Sequence, residues 1–197
     1  MVPADLTPAQ FFETYLPAEW ARARAGQPAA ADATFEVVLD GDGGGTWTIA
    51  VRGGALSATA AAATTTPDLR VHMTTQDFRA AMQGEAGAPD LFPHELDLAT
   101  ALARIPAGAA PTAPKGSVEI HISGFNGRTW SIGLATGGAT APGATVTVDA
   151  DTILAIKNGS MDPASAFFSG KIQLGGDVAW IMQAGMGFMQ GRRGPLN

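Results

Sequence analysis

Three histidines, His72, His94 and His121, are the side chains in this sequence best suited to proton transfer or metal ligation. No two of them stand at a ligand spacing such as His-x-x-x-His. His72 and His121 fall in the strand-like runs "LRVHMT" and "VEIHISG", where a half-exposed polar position is the expected role. The stretch "DGDGGG", Asp40 to Gly45, superficially suggests a calcium loop. It lacks the third ligand and the distant glutamate of an EF-hand, and it falls where a hairpin turn is needed. No lysine followed by serine or threonine comes after it, so it is no phosphate loop either. Asp149 and Asp151 would make an acid pair, but they stand between a strand and a helix. There one of them caps the helix by accepting backbone N–H bonds. Asp162, before Pro163, starts a turn. Cysteine is absent, which removes thiol chemistry and disulfides. These residues assemble no nucleophile, base and orienting group. The expectation is a chain with no catalytic residues, no metal and no cofactor.

The bulk properties narrow the partners. A formal charge of −6 over 197 residues argues against a nucleic-acid footprint, which needs a basic face. It also argues against polybasic attachment to a membrane. No apolar run reaches the ~18 to 20 residues of a spanning helix. The start, "MVPADLTPAQFFETYLPAEW", has no basic region followed by an apolar one, so a cytoplasmic location is expected.

The elements that would carry these residues follow one pattern written twice. Thr7 to Ala25 reads as a helix, with Thr7 as cap, Pro8 in the first turn, and Phe11, Phe12, Tyr15, Leu16 and Trp20 at near-helical spacing. Pro17 is expected to kink or divide it. Then "FEVVLDGDGGGTWTIAV" and "VEIHISGFNGRTWSIGL" each give two β-type runs around a glycine-containing turn. Trp47 and Trp130 are 83 positions apart, as are Phe35 and Val118, and Ile49 and Ile132. "PDLRVHMTTQDFRAAMQGE" pairs with "ATVTVDADTILAIKNGS" at a spacing of 75, which matches Val71 with Val146 and Gly84 with Gly159. Each copy reads as hairpin, strand and short helix, with helices near Gln76 to Gln83 and Asp151 to Asn158. A Pro/Ala/Gly connector, Ile105 to Gly116, separates them. Only the second copy continues into "GKIQL", a further strand.

The second copy ends on soft apolar residues. From Asp177 to Gln190 helical spacing places Val178, Ile181, Met182, Gly185, Phe188 and Met189 on one broad face, and only Gln183 and Gln190 are clearly polar. Fourteen residues make a rod of roughly 20 Å, too short to cross a bilayer. Methionine suits either gaps in a core or surfaces that repack around varied ligands.

The text "DTILAIKNGSMDPASAFFSGKIQLGGDVAWIMQAG", and before it "PDLRVHMTTQDFRAAMQGE", resembles the sterol carrier protein-2 (SCP-2-like) family. The features that carry the likeness are the apolar pair Phe167 and Phe168, then Ser169-Gly170-Lys171, an alternating strand through Ile172 and Leu174, Gly176-Asp177 and an apolar helix. The resemblance implies an α/β fold of the α+β type, in which a mostly antiparallel sheet is covered by helices. It is built here from two related hairpin-strand-helix units. Residues 1–110 would hold the N-terminal helix and a degenerate SCP-2-like unit, and residues 111–197 a more complete one. The two form either one pseudo-symmetric compact domain or a complete domain beside a degenerate one.

The resemblance also implies function. The family holds a hydrophobic tunnel between sheet and helices for fatty acids, acyl-CoA, sterols or phospholipids, and this domain has no catalytic residues. Carried onto this chain, the tunnel is lined by Phe167, Phe168, Ile172 and Leu174, and by Trp180, Ile181, Met182, Met186 and Met189 of the terminal helix. Ile153 and Ile156 on the preceding helix are further lining positions. Lys171 and Lys157 are the cations beside this stretch and read as solvated charges. The alternative is a structural or dimerisation module with a filled cavity, in which the apolar face meets a second copy or a partner enzyme.

Overall fold

In the computed structural model, residues 3, 5–83, 115–125, 127–140 and 143–183 are described. The chain divides into two units, Met1–Ala110 and Pro111–Asn197.

The first unit begins with a helix, α1, whose cap is legible in the sequence. Gln10 N–H donates to Thr7 Oγ1 (3.2 Å), and Thr7 N–H donates back to Gln10 Oε1 (2.9 Å), a reciprocal capping box. α1 runs through Pro8–Gln10, Phe11–Tyr15 and Leu16–Ala23, and its middle segment is wound as a π-helix. Pro17 does not divide the rod, which is wound continuously from Pro8 to Ala23. It has no N–H to donate, and the wide turn just before it, in which Leu16 N–H reaches Phe11 O, absorbs the missing bond.

Strands β1 (Ala33–Asp40), β2 (Gly45–Arg52), β3 (Ala55–Thr59) and β4 (Leu69–Thr74) follow, then α2 (Thr75–Gln83). β2 lies antiparallel to β1 and to β3, and β4 lies parallel to β1. In each strand alternate residues point to opposite faces. Val37, Leu39, Trp47, Ile49 and Val51 share one buried face, and α1 is packed against its aromatic end. Phe12 stacks on Trp47 at 5.0 Å between ring centroids, and Phe11 meets Phe78 of α2 edge-on at 5.2 Å. The indole N–H of Trp47 donates to Glu13 Oε1 (3.0 Å), and that of Trp20 donates to Gly54 O (2.8 Å), so both buried rings have their polar atom matched. The opposite face is polar. Its Glu36, 2% exposed, is paired with Arg70 and accepts the Ala63 N–H (2.8 Å), so the buried charge is satisfied.

The second unit repeats the hairpin with a parallel third strand, but its fourth strand pairs with that third strand. β5 (Gly116–Phe125) and β6 (Arg128–Thr136) form an antiparallel hairpin, β7 (Ala144–Asp149) lies parallel to β5, and β8 (Ile172–Gly176) lies antiparallel to β7. Two of the three pairings in each unit are therefore antiparallel, and helices accompany each sheet. The parallel register agrees between units at the sequence spacings: Phe35 opposes Leu69, and Val118 opposes Ala144. The hairpin register does not. Trp47 faces Val37, but Trp130 faces Ile122 rather than Ile120, and pairing on β5 is irregular between Ser123 and Phe125. A shift of two residues keeps every side chain on its own face, so both tryptophans stay buried.

β7 leads into α3 (Ala150–Lys157), and α4 (Pro163–Phe168) precedes β8. Asp149 is the carboxylate that caps α3: Thr152 N–H donates to Asp149 Oδ1 (2.7 Å) and the Thr152 hydroxyl to Oδ2 (2.8 Å). Asp162 caps a short helix, receiving Ser165 N–H (2.9 Å), where the sequence suggested a turn. Pro163 supplies the preset first-turn φ that makes this possible. A last helix, α5, covers residues 178–183 of the described chain. The stretches that would hold His94 and the connector's first part lie outside the described residues.

Two stability measurements test this account. Phe12→Ala removes the ring shared by Trp47 and Phe78 and is expected to lower the unfolding free energy by about 3–5 kcal/mol in urea denaturation. Asp149→Ala is expected to cost about 1 kcal/mol at neutral pH. The Thr152 backbone N–H, and next its hydroxyl, hold the Asp149 carboxyl below its ordinary value of 3.8. A carboxyl lowered by folding stabilises the fold above its unfolded pKa and loses that contribution as pH falls through its folded pKa. The gap between the wild type and Asp149→Ala in urea melts should therefore narrow below pH 4.

Candidate functional site: the apolar face of the second unit

Register turns the second unit into a surface with two unlike faces. On one face stand Ser117, Glu119, His121 and Ser123 of β5, with Thr145 and Thr147 of β7. His121 Nδ1 is 3.0 Å from Ser131 Oγ on this polar side. In the first unit His72 Nε2 is 2.7 Å from Asp40 Oδ2, also on the polar side of its sheet. Both histidines make hydrogen bonds across neighbouring strands, as half-exposed strand positions do. Among the described residues no three His, Asp or Glu side chains converge on a metal-sized site.

The other face is apolar in every strand and can be followed in rows across the sheet. The first row is Trp130, Ile122, Val148 and Ile172. Its first three members are buried, and Trp130 and Ile122 are each 1% exposed. The N-terminal end of α3 closes this side of the face: Ala150 Cβ lies 3.7 Å from where a side chain on Gly124 would begin. The second row, Ile132, Ile120, Val146 and Leu174, is half-buried in all four strands. In the third row, Leu134, Val118, Ala144 and Gly176, the side chains shrink towards β8. The fourth holds Thr136 and Gly116. Bulk thus falls away from a closed end, and the second and third rows leave large aliphatic groups partly open.

Of the residues proposed from sequence to line a cavity, Ile172 and Leu174 stand on this face. Trp180 reaches it as well, because its indole occupies the space above Gly116. Ile153, Ile156 and Ile181 are half-buried on α3 and α5. Phe167 and Phe168 close α4 with their rings 5.5 Å apart, and Phe168 is 85% exposed. Met182 is 56% exposed. Met186 and Met189 lie outside the described residues. Lys171 is exposed beside α4. The structure therefore gathers Ile172, Leu174 and Trp180, and leaves Phe168 and Met182 turned to solvent.

Sequence reasoning passed over the larger part of the face. Val118, Ile120, Ile132, Leu134 and Val146 were not among the proposed lining residues. Their signal was present as strict alternation in "VEIHISG", "TWSIGLA" and "ATVTVD". Alternation says that one side is apolar. It does not say that four such sides align, which depends on register, nor that the second row stays half-open. No helix among the described residues is long and apolar enough to cross a membrane.

Residues 106–188 match the model of the SCP-2 sterol transfer family. No curated protein matches the chain in sequence. Among solved structures, sterol carrier protein 2 like 2 of Aedes aegypti is 26% identical over 38% of this chain and 77% of its own, with a TM-score of 0.30. Sterol carrier protein domain 2 of Helicoverpa armigera is 20% identical over 42% and 74%, with a TM-score of 0.31. The inverting sec-alkylsulfatase Pisa1 of Pseudomonas sp. is 15% identical over 93% of this chain and 16% of that one, with a TM-score of 0.24. At such TM-scores the superpositions carry no argument. The alternating strands, the "AFFSGKIQLGGD" passage and the family model all fall on the same unit. Over residues 106–188 the chain is similar to the SCP-2 sterol transfer family.

Proposed function

We propose that the second unit binds an apolar ligand, such as a fatty acid, an acyl-CoA, a sterol or a phospholipid, without covalent chemistry. The ligand would lie between the apolar face of β5–β8 and helices α3–α5. One observation carries this reading. The row Ile132, Ile120, Val146 and Leu174 is half-open in every strand, next to a row whose Trp130, Ile122 and Val148 are buried. Burial of an aliphatic ligand on such a surface is worth about 25 cal/mol per Å² removed from water, less the ordering cost. Ile153, Ile156, Phe167 and Ile181 are the helical residues that would complete the lining, with Met186 and Met189, outside the described residues, as further proposed positions.

Native mass spectrometry of the freshly purified chain, followed by organic extraction, is expected to reveal co-purifying lipid. Ile120→Glu puts a charge in the middle of the half-open row. It should weaken binding of a fluorescent fatty acid by tenfold or more, on the order of the 1–3 kcal/mol per uncompensated polar group. Circular dichroism should remain that of the wild type. Equal binding by the two proteins would sink the reading.

A second reading is favoured by Phe168, whose ring stands free in water at the end of α4. In it α4 and α5 meet a second copy or a partner protein through Phe168 and Met182. Light scattering decides it: a wild-type dimer made monomeric by Phe168→Ser supports the interface, and a monomeric wild type removes self-association.

A further inference from the structure

The end of the apolar face opposite Trp130 is finished by a side chain from another element. Gly116 begins β5, and its missing side chain would stand on the apolar face, in line with Val118, Ile120 and Ile122. That place is taken by the Trp180 indole. A Cβ on Gly116 would overlap the ring, 2.5 Å from its Cδ1 and 2.5 Å from its Cε2. The indole therefore fills the fourth row, where the strands themselves offer only Thr136 and a glycine.

Its seat is fixed by a short chain of bonds. Asp177 caps α5 by accepting Trp180 N–H at Oδ1 (3.0 Å). Asp177 N–H donates to Gly143 O (2.7 Å), and Gly143 N–H donates to the buried Ser117 Oγ (2.9 Å). Ser117 is the neighbour of Gly116 on β5. The turn into α5 also needs Gly176, which has φ +68° and leaves no room for a side chain beside Gly143 O. The start of α5 is thus tied to the start of β5, and the ring it carries is set at a defined height along the strand.

From this we infer that Trp180 sets the size of ligand that the second unit accepts. The inference rests on the apolar-ligand reading above. Ile122 stands six steps along β5 from Gly116, roughly 20 Å of strand. The buried Trp130 row bounds this length at one end and the Trp180 indole bounds it at the other. What lies between is an aliphatic floor of limited extent, suited to one long acyl chain or a compact ring system. Removal of the indole lengthens that floor by a row whose strand residues, Thr136 and Gly116, are too small to refill it.

The test is a series of straight-chain carboxylic acids of increasing length, titrated by calorimetry into the full chain and into Trp180→Ala. In the wild type, affinity rises with each carbon up to a limiting length. In Trp180→Ala that limit moves to longer acids, and the first acid beyond the wild-type limit gains about tenfold in affinity, the scale of a methylene accommodated or refused. Shorter acids change much less. Trp180→Leu, which keeps an apolar anchor on α5, carries the test if the alanine variant fails to fold, and it should shift the limit in the same direction. An unchanged limit in a folded variant overturns the role of Trp180 and leaves ligand binding intact. Failure of every acid to bind the wild type overturns the apolar-ligand reading itself, and the inference with it. Gly116→Ala supplies an independent check, since its new methyl group must unseat the indole. The Trp180 part of the fluorescence, taken as the difference from Trp180→Phe, should shift in that variant, and no shift would contradict the seat described.

Discussion

Parallel pairing of β5 with β7, in the register that sets Val118 against Ala144, is the constraint on which the second unit depends. Side chains alternate across a sheet with a period of two, so a slip by one residue would send Val118, Ile120 and Ile122 to the polar side. In the observed register the apolar halves of four strands coincide. Each of these strands taken alone is a short amphipathic ribbon. Together they make one continuous aliphatic surface, and every feature of the candidate site is a position on it.

The ends of that surface are made where helices meet glycines of β5. Ala150 approaches β5 at Gly124, and the Trp180 indole approaches it at Gly116. At Gly116 the indole can come down onto the sheet because the strand has no side chain there, whereas at Gly124 the approach is ordinary van der Waals contact. The caps then hold the helices in place. Asp149 binds the first turn of α3, and Asp177 binds the first turn of α5 while its own N–H is tied to Gly143. Asp149, one of the two carboxylates that would make an acid pair, is thus occupied in starting α3.

The first unit shares the hairpin and its parallel third strand, but its remaining strand, β3, borders the hairpin rather than the parallel strand, and its filling is different. One end of its apolar face is closed by α1 through stacked and edge-on rings, Phe12 on Trp47 and Phe11 on Phe78, while Phe35, Leu69 and Val71 stay half-buried. Trp20 and Val51 extend the same closure. The contrast lies in the covering element. α1 brings large aromatic side chains to the sheet. The described part of the second unit covers its first row from α3 and its last from Trp180, and leaves aliphatic groups half-open between them.

Much of this was legible in the residues. The cap at Thr7, the paired hairpins, the polar roles of His72 and His121, and the cap at Asp149 follow from local rules, because each depends on neighbours a few positions away. The π-turn before Pro17 and the small helix after Asp162 were not, since each is one of several local answers among which packing selects. The likeness of "AFFSGKIQLGGD" to a known family directed attention to α4 and the terminal helix. The strands that form most of the apolar face were passed over because alternation does not reveal which strands will be neighbours. The sequence by itself determined which side of each strand is apolar and where the helices begin. Only the tertiary structure decided that four such sides share one face, that its second row stays half-open, and that a tryptophan on one helix ends it above a glycine on β5. The physical reason is that those features depend on register and on contacts between residues distant in the chain, and no local preference encodes either.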